Sequence, residues 1–282
     1  MNTPHRAVRY RLLALCFVAL AGAALAQTAT EKLYEPMVGQ EGKDVVWVPT
    51  PAATVEKMLD MAQVTPQDFV IDLGSGDGRN VIAAAKRGAR GLGVEYNPDM
   101  VELSERIAAK EGVADKALFV QGDMYEADIS KATVLALFLL TENLNRLAPK
   151  FLELKPGTRI VLNGFGIDGW TPDESSRAEG ECGSWCTTHL FFVPAKAAGT
   201  WRLPQGELKL EQKFQVLSGS LTAGGRMSPI TGGKLRGDQI TFTAGGATYA
   251  GSVNGDVMSG ELKGSANGAW RATRVGGVGA AD

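Results

Sequence analysis

A glycine-rich turn after an apolar run carries the strongest chemical signal in the sequence. Residues 69–73 are typical of a buried strand, residues 74–78 read Gly-Ser-Gly-Asp-Gly, and a helix is predicted over 81–87. Glycine lets a backbone approach a ligand with no Cβ between them, and the N-terminus of the helix directs free N–H groups into the same crevice. The spacing differs from the Gly-x-Gly-x-x-Gly of dinucleotide folds, and no Gly-Lys-Ser/Thr follows. The turn therefore predicts a ligand crevice of another kind.

Two further strand ends place polar side chains at this crevice. The strand predicted over 91–95 ends in Glu95, and a carboxylate at such a strand tip suits the two hydroxyls of a ribose. The strand predicted over 117–121 leads to Asp123 and Met124, a polar and an apolar side chain that together suit an adenine ring. The crevice thus offers, in chain order, sites for a sulfonium amino acid, a ribose and a base.

With these motifs the sequence resembles the class I S-adenosylmethionine-dependent methyltransferases. The alternative is a glycine turn in some other α/β protein. The resemblance implies that S-adenosylmethionine is the cofactor, that Glu95 holds its ribose, and that Asp123 with Met124 holds its adenine. The predicted cofactor-binding residues are Thr50, Asp72, Gly74, Ser75, Gly76, Asp77, Glu95, Asp123 and Met124.

Four segments sharpen the resemblance. Residues 48–51, 72–79, 93–98 and 138–143 together resemble bacterial relatives of the small protein-lysine methyltransferases, such as those that modify the ATP synthase c-subunit. The similarity covers roughly residues 44–172 and implies N-methylation of protein amino groups. The alternative is an exported, non-catalytic binding protein that keeps the methyltransferase fold.

The acceptor is expected at the end of the fourth strand, where residues 138–143 read Phe-Leu-Leu-Thr-Glu-Asn. The Asn/Asp-Pro-Pro-aromatic motif of enzymes that methylate amide or nucleobase nitrogens is not found there, which disfavours those substrates. The predicted catalytic residues are Phe138, Thr141 and Glu142. Burial against Phe138 would lower the pKa of a lysine acceptor, and Glu142 would orient the amine unless it is only a first-turn helix acid. Trp170 either borders this pocket or packs in a loop.

Alternating strands and helices predict a doubly wound, mainly parallel, Rossmann-like sheet. Besides the strands above, strands are predicted over 133–140 and 159–162. Before the first strand, Thr50 is predicted to cap a helix. Together with Trp47 it either serves this local structure or forms a flap over the amino-acid end of the cofactor.

The texture of the sequence changes at Gly199, beyond which apolar residues alternate along short, glycine-rich runs. This pattern predicts a small antiparallel β barrel or sandwich. The predicted organisation is a signal peptide over 1–26, a methyltransferase domain over 30–198, a β domain over 199–275 and a disordered tail over 276–282.

Composition and the N-terminus bear on partners and compartment. The net charge of −2, with scattered basic residues, argues against a nucleic-acid substrate and leaves a protein or a small molecule as acceptor. Arginines, an apolar run over 12–21 and a small-x-small cleavage site over 24–26 predict a secretory signal and a periplasmic or secreted protein. No stable membrane insertion is expected after cleavage, although a membrane anchor is the alternative for this segment.

Two cysteines, Cys182 and Cys186, remain after the predicted cleavage. In an exported protein such a pair predicts a disulfide. Free thiols and a metal site that includes His189 are the alternatives, and the prediction is that no metal is bound. The oligomeric state stays open.

Overall fold

The computed structural model of the protein describes Met1 and residues 34–276. Apart from Met1, the predicted signal peptide lies outside the described residues, as do residues 277–282 of the predicted tail. In the described part of the chain, no helix is long and apolar enough to cross a membrane.

A seven-stranded sheet is the first of the two sheets that residues 34–276 form, with strand order β3-β2-β1-β4-β5-β7-β6. The strands from β3 to β5 are parallel, and β7 runs antiparallel to both β5 and β6. The order reverses between β1 and β4, so a ligand crevice is expected at the carboxyl ends of these two strands. The doubly wound, mainly parallel sheet is confirmed. The strands are β1 Phe69–Leu73, β2 Arg90–Glu95, β3 Ala117–Gln121, β4 Val134–Leu137, β5 Arg159–Asn163, β6 Glu174–Arg177 and β7 Thr187–Phe192.

Helices cover both faces of this sheet. On one face, Met58 and Leu59 of α1 pack with Val134 of β4. On the other, Leu144 of α4 packs with Ile71 of β1, so the central strands are buried on both sides, as their apolar runs predict. The helices of the described region are α1 Ala52–Met61, α2 Arg79–Lys86, α3 Pro98–Lys110 and α4 Thr141–Phe151.

Two local predictions need correction. The predicted Thr50 cap of α1 is wrong, because Pro51 occupies the N-cap position and its carbonyl accepts from the N–H groups of Thr54 and Val55. The fourth strand ends at Leu137 rather than at residue 140. The chain leaves the sheet at Phe138 and turns into α4, so residues 138–140 lie at the crevice instead of in the ladder.

The second sheet is a closed barrel. It is antiparallel throughout, and eight of its nine strands form a ring that the β9–β10 and β16–β8 pairings close, while β11 pairs on the outside with β10. Alternate side chains such as Leu208, Leu210, Ile240 and Phe242 fill the interior. The strands are β8 Gly199–Leu203, β9 Gly206–Lys213, β10 Val216–Ala223, β11 Arg226–Pro229, β12 Thr231–Arg236, β13 Gln239–Ala244, β14 Ala247–Asn254, β15 Val257–Gly264 and β16 Gly268–Arg274.

An aromatic contact joins the barrel to the parallel sheet. Trp170, which is 2% exposed, stacks on Phe214 with ring centroids 4.9 Å apart and meets Phe191 edge-on at 5.5 Å. Beside it, the Gln215 amide donates to the carbonyl of Thr171. Trp170 is therefore a packed residue and not part of the crevice wall. The predicted domain boundaries stay predictions.

Candidate functional site

The glycine turn after β1 has the backbone conformation that its residues predict. Gly74, Gly76 and Gly78 have φ values of +70°, +55° and +78°, a region that residues with a Cβ rarely adopt. A Cβ on Gly76 would lie 2.6 Å from Nε1 of Trp47, and one on Gly78 would lie 2.6 Å from the ring of Phe119. The turn thus needs glycine both for its dihedral angles and for the close approach of two aromatic side chains.

A small recess of about 30 Å³ lies at this turn. Asp72 in its wall is 3% exposed and accepts a hydrogen bond from Nδ2 of Asn80 at 3.0 Å. Burial raises the pKa of the Asp72 carboxyl well above its usual value. Oγ of Ser75 is also buried and has no hydrogen-bond partner among the described residues. A buried carboxyl without a countercation and an unpaired hydroxyl fit the ammonium and carboxylate groups of a bound amino acid. The recess is lined by the predicted Thr50, Asp72, Gly74, Ser75, Gly76 and Asp77.

Arg79 fixes the outer side of the recess. Its Nε donates to Oδ1 of Asp77 at 2.9 Å, and its Nη1 donates to the carbonyl of Thr50 at 2.6 Å. This one side chain therefore ties the glycine turn to the segment that precedes α1.

A larger cavity of about 250 Å³ adjoins the recess and is lined by the remaining predicted cofactor residues. Glu95 accepts from the N–H of Gly76 at 2.9 Å and from that of Asn97 at 3.0 Å, which fixes its carboxylate at the tip of β2. Asp123 lies with Met124 in the same wall. The structure therefore brings all nine predicted cofactor residues to two adjoining cavities at one edge of the sheet.

A flap, residues 37–48, forms the outer wall of the larger cavity. Its two sides pair, since the N–H of Gly39 donates to the carbonyl of Trp47 at 2.8 Å and Trp47 donates back to Gln40 at 2.9 Å. Trp47 lines both cavities. The ammonium group of Lys43 bonds Asp123, and this contact is the main cause of the lowered pKa of that carboxyl. Sequence reasoning missed Lys43, because no motif spacing marks a lysine in a loop.

The three predicted catalytic residues do not lie together. Phe138 lines both cavities. Thr141 begins α4, and Glu142 lies exposed in its first turn. Neither is among the described residues that line the two cavities, so Glu142 has the position of a first-turn helix acid.

An aromatic wall closes the end of the larger cavity nearest to Phe138. The ring centroid of Phe138 lies 6.2 Å from that of Phe165 and 5.1 Å from that of Trp185, and those two lie 5.7 Å apart. Trp185 belongs to the loop between β6 and β7, and sequence reasoning missed it. Its position between two paired cysteines is the one signal that could have singled it out.

The cysteines on either side of Trp185, Cys182 and Cys186, form a disulfide. His189 does not join them, since its Nδ1 lies 2.8 Å from Oγ of Ser175. In the described part of the chain, no group of three His, Cys, Asp or Glu side chains has a geometry for a metal ion.

Relatives of known family match the part of the chain that builds these cavities. A family model described as the ANTKMT methyltransferase domain matches residues 72–174. A protein-lysine N-methyltransferase of Saccharolobus islandicus is 45% identical, with the match covering 48% of this chain and 86% of that protein. The chain belongs to this methyltransferase family. A human lysine N-methyltransferase named for the ATP synthase c-subunit is 34% identical over 54% of this methyltransferase and 70% of its own length. The matches thus take in about half of the chain, and the barrel lies beyond the residues that the family model matches.

A solved structure also matches this methyltransferase. An RNA methyltransferase from Salinibacter ruber in complex with S-adenosyl-L-homocysteine has a TM-score of 0.50 and 44% sequence identity, and the match covers 53% of this chain and 95% of the other. The protein is a class I S-adenosylmethionine-dependent methyltransferase, and the predicted cofactor is confirmed. Nothing supports the alternative of an exported, non-catalytic protein.

Proposed function

We propose that this methyltransferase transfers the methyl group to the side-chain amine of lysine residues in proteins. The observation that carries the proposal is the larger cavity, which runs from Glu95 and Asp123 to an aromatic wall at Phe138. An apolar slot that leads to the methyl donor suits the long aliphatic stem of lysine. The Saccharolobus and human relatives are named as lysine N-methyltransferases, in agreement with this acceptor.

The charges at the cavity favour a cationic acceptor. Four carboxylates line it, and Lys43 is the single basic side chain among the described residues in its wall. Asp123 already pairs with that lysine. An excess of negative charge attracts an ammonium group and repels phosphates. The charge therefore favours lysine over RNA, the substrate named for the Salinibacter ruber protein. The carboxylates are those of Glu41, Asp44, Glu95 and Asp123.

Burial prepares the amine for attack. S-adenosylmethionine supplies a methyl group on a sulfonium, which an amine displaces in line only when it carries a free electron pair. Lysine in water has a pKa of about 10.4, and an apolar surrounding lowers it. The wall of Phe138, Leu139 and Leu140 supplies that surrounding, so alignment and exclusion of water contribute most of the catalysis.

The class of the acceptor is tested by offering protein and RNA in parallel. The purified protein is incubated with methyl-labelled S-adenosylmethionine and with separated protein and RNA fractions of the same cells. We expect label in the protein fraction that proteinase removes. Label confined to RNA, or in neither fraction, would contradict the proposal.

We also propose that the protein works in the periplasm or after secretion. The basic, apolar and small-residue pattern of residues 1–26 supports export, as does the Cys182–Cys186 disulfide, because disulfides persist in oxidising compartments. N-terminal sequencing of protein released by osmotic shock should begin at Gln27. Recovery of the intact chain in the cytosol alone would contradict export.

A further inference from the structure

We infer that Trp185 selects the acceptor amine, and that the Cys182–Cys186 disulfide positions Trp185 for this task. The acceptor class is an unbranched alkylammonium group, which is the end of a lysine side chain. The inference deepens the proposed function and rests on it for the protein substrate, although the binding site itself can be tested without turnover.

The ring of Trp185 is the third face of the aromatic wall. It meets Phe138 edge-on and lies tilted to Phe165. On its other side it lies over Gly164, where an added Cβ would come within 3.2 Å of Cε3 of the tryptophan. Gly164 has φ +72°, so glycine both suits the backbone and leaves room for the ring. The position of the ring in the larger cavity thus depends on a backbone built for it.

The backbone of Trp185 is anchored from both sides. Its N–H donates to the carbonyl of Cys182 at 2.9 Å, and its own carbonyl accepts from Oγ1 of the buried Thr54 of α1 at 2.7 Å. The disulfide sulfurs are buried in a small cluster with Ala178, against which Ala53 of α1 packs. The loop has few free torsions left, so the indole is presented to the cavity in a single orientation.

Three aromatic faces around one slot recognise a particular chemistry. Aromatic faces attract an ammonium group and exclude water, and they offer nothing to an anion. The carboxylates at the cavity add attraction for a cation. An unbranched alkylammonium matches both features, since its stem packs on the rings and its head meets their faces. Trp185 lies beyond residue 174, where the family model ends, so this wall includes a contribution outside the matched region.

Binding of n-butylammonium tests the role of Trp185. The oxidised full-length protein is saturated with S-adenosylhomocysteine and titrated with the amine by calorimetry. Trp185→Ala should weaken amine binding about tenfold, which is about 1.4 kcal/mol, whereas Trp185→Phe should keep most of it. The affinity for S-adenosylhomocysteine should stay within about twofold in both variants. Equal amine affinity in Trp185→Ala, or no amine binding by the wild type, would overturn the inference.

A double-mutant cycle tests the role of the disulfide. The pair Cys182→Ala and Cys186→Ala should weaken amine binding by about as much as Trp185→Ala does, and should add little in the Trp185→Ala background. Ser175→Ala, on the same β-hairpin but on the His189 side, is the matched control and should leave both ligands unaffected. Additive losses would show that the disulfide acts by another route. Because binding needs no turnover, missing lysine methylation would contradict the proposed function alone.

Discussion

Asp72 is the residue whose environment is costliest without a ligand. Its carboxyl is buried, its one side-chain partner is the neutral amide of Asn80, and its pKa is raised by burial and secondarily by Glu95 and Asp77. A raised folded-state pKa favours the folded protein below the unfolded pKa, and this contribution is lost as the pH rises towards the folded pKa. At neutral pH the residue therefore costs stability that a bound ammonium group can return.

Asp72→Asn should accordingly stabilise the ligand-free protein and impair cofactor binding. The asparagine can still accept from Asn80 and carries no charge, so we expect a gain in Tm of about 3 °C at pH 8 that shrinks towards pH 4. The affinity for S-adenosylmethionine should fall about tenfold. Thermal unfolding at both pH values, with and without cofactor, measures these effects. A Tm difference that is the same at both pH values would contradict this reading of Asp72.

At the residue scale, sequence reasoning succeeded where spacing along strand ends sets the geometry. The nine cofactor residues were predictable because parallel strands bring their carboxyl ends to one edge. Glu142 was misplaced towards the acceptor, because its distance from Phe138 in sequence does not say which way the first turn of α4 faces. Lys43 and Trp185 lie in loops, where no periodicity fixes the position of a side chain.

The flap is the element that has to yield when cofactor enters. Lys43 bonds the Asp123 carboxylate and lies over the ring of Tyr96, with Nζ 4.9 Å from the centroid. The same carboxylate is the predicted partner of adenine. The flap and the cofactor therefore compete for Asp123.

Lys43→Ala should raise cofactor affinity a little. The lysine is exposed and its ion pair is accessible to salt, so we expect roughly a threefold gain in affinity for S-adenosylhomocysteine at low salt and a smaller one in high salt. Calorimetric titration at two salt concentrations measures the difference, with Lys43→Arg as the matched control that keeps the charge. A loss of affinity in the alanine variant would show instead that the flap lysine holds the cofactor.

The disulfide loop contributes less to global stability than to local order. The bridge spans a sequence separation of four residues, and such a short loop gains about 2 kcal/mol in the chain-entropy treatment. Replacing Cys182 and Cys186 with alanine should lower Tm by about 4–8 °C and leave the protein folded. Circular dichroism melts check this, and a variant that is unfolded at 25 °C would contradict it.

Element types were largely predictable, and element ends were less so. Helices and central strands followed from apolar periodicity. The predicted Thr50 cap failed because Pro51 starts the helix one residue later. The edge strand β6 was missed, since three of its four residues, Glu174-Ser-Ser-Arg177, are exposed and give no apolar alternation.

At the scale of the whole molecule, the barrel and the parallel sheet share a buried contact. Trp170 lies between Phe191 and Phe214, and Lys234 of the barrel forms an ion pair with Asp173 at 3.3 Å. The sequence predicted a barrel or a sandwich. It could not decide between them, because closure depends on the pairing of β16 with the distant β8.

Trp170→Ala should destabilise the whole molecule without changing its site. Removal of a buried tryptophan costs about 3–5 kcal/mol, so urea unfolding should move to clearly lower denaturant. The affinity for S-adenosylhomocysteine, measured below the transition, should stay at the wild-type value. Trp185→Ala serves as the control, because that tryptophan is only half-buried. Unchanged stability of Trp170→Ala would contradict the packing assigned to the junction.

The measurement that tests the account most directly is tandem mass spectrometry of a labelled acceptor protein after reaction. Wild-type protein and Glu95→Gln, which loses the carboxylate at the tip of β2, are compared with S-adenosylmethionine present. The account predicts methyl groups on lysine side-chain nitrogens with the wild type and a much lower yield with the variant. Methyl groups on other residues, or equal yields from both proteins, would contradict it.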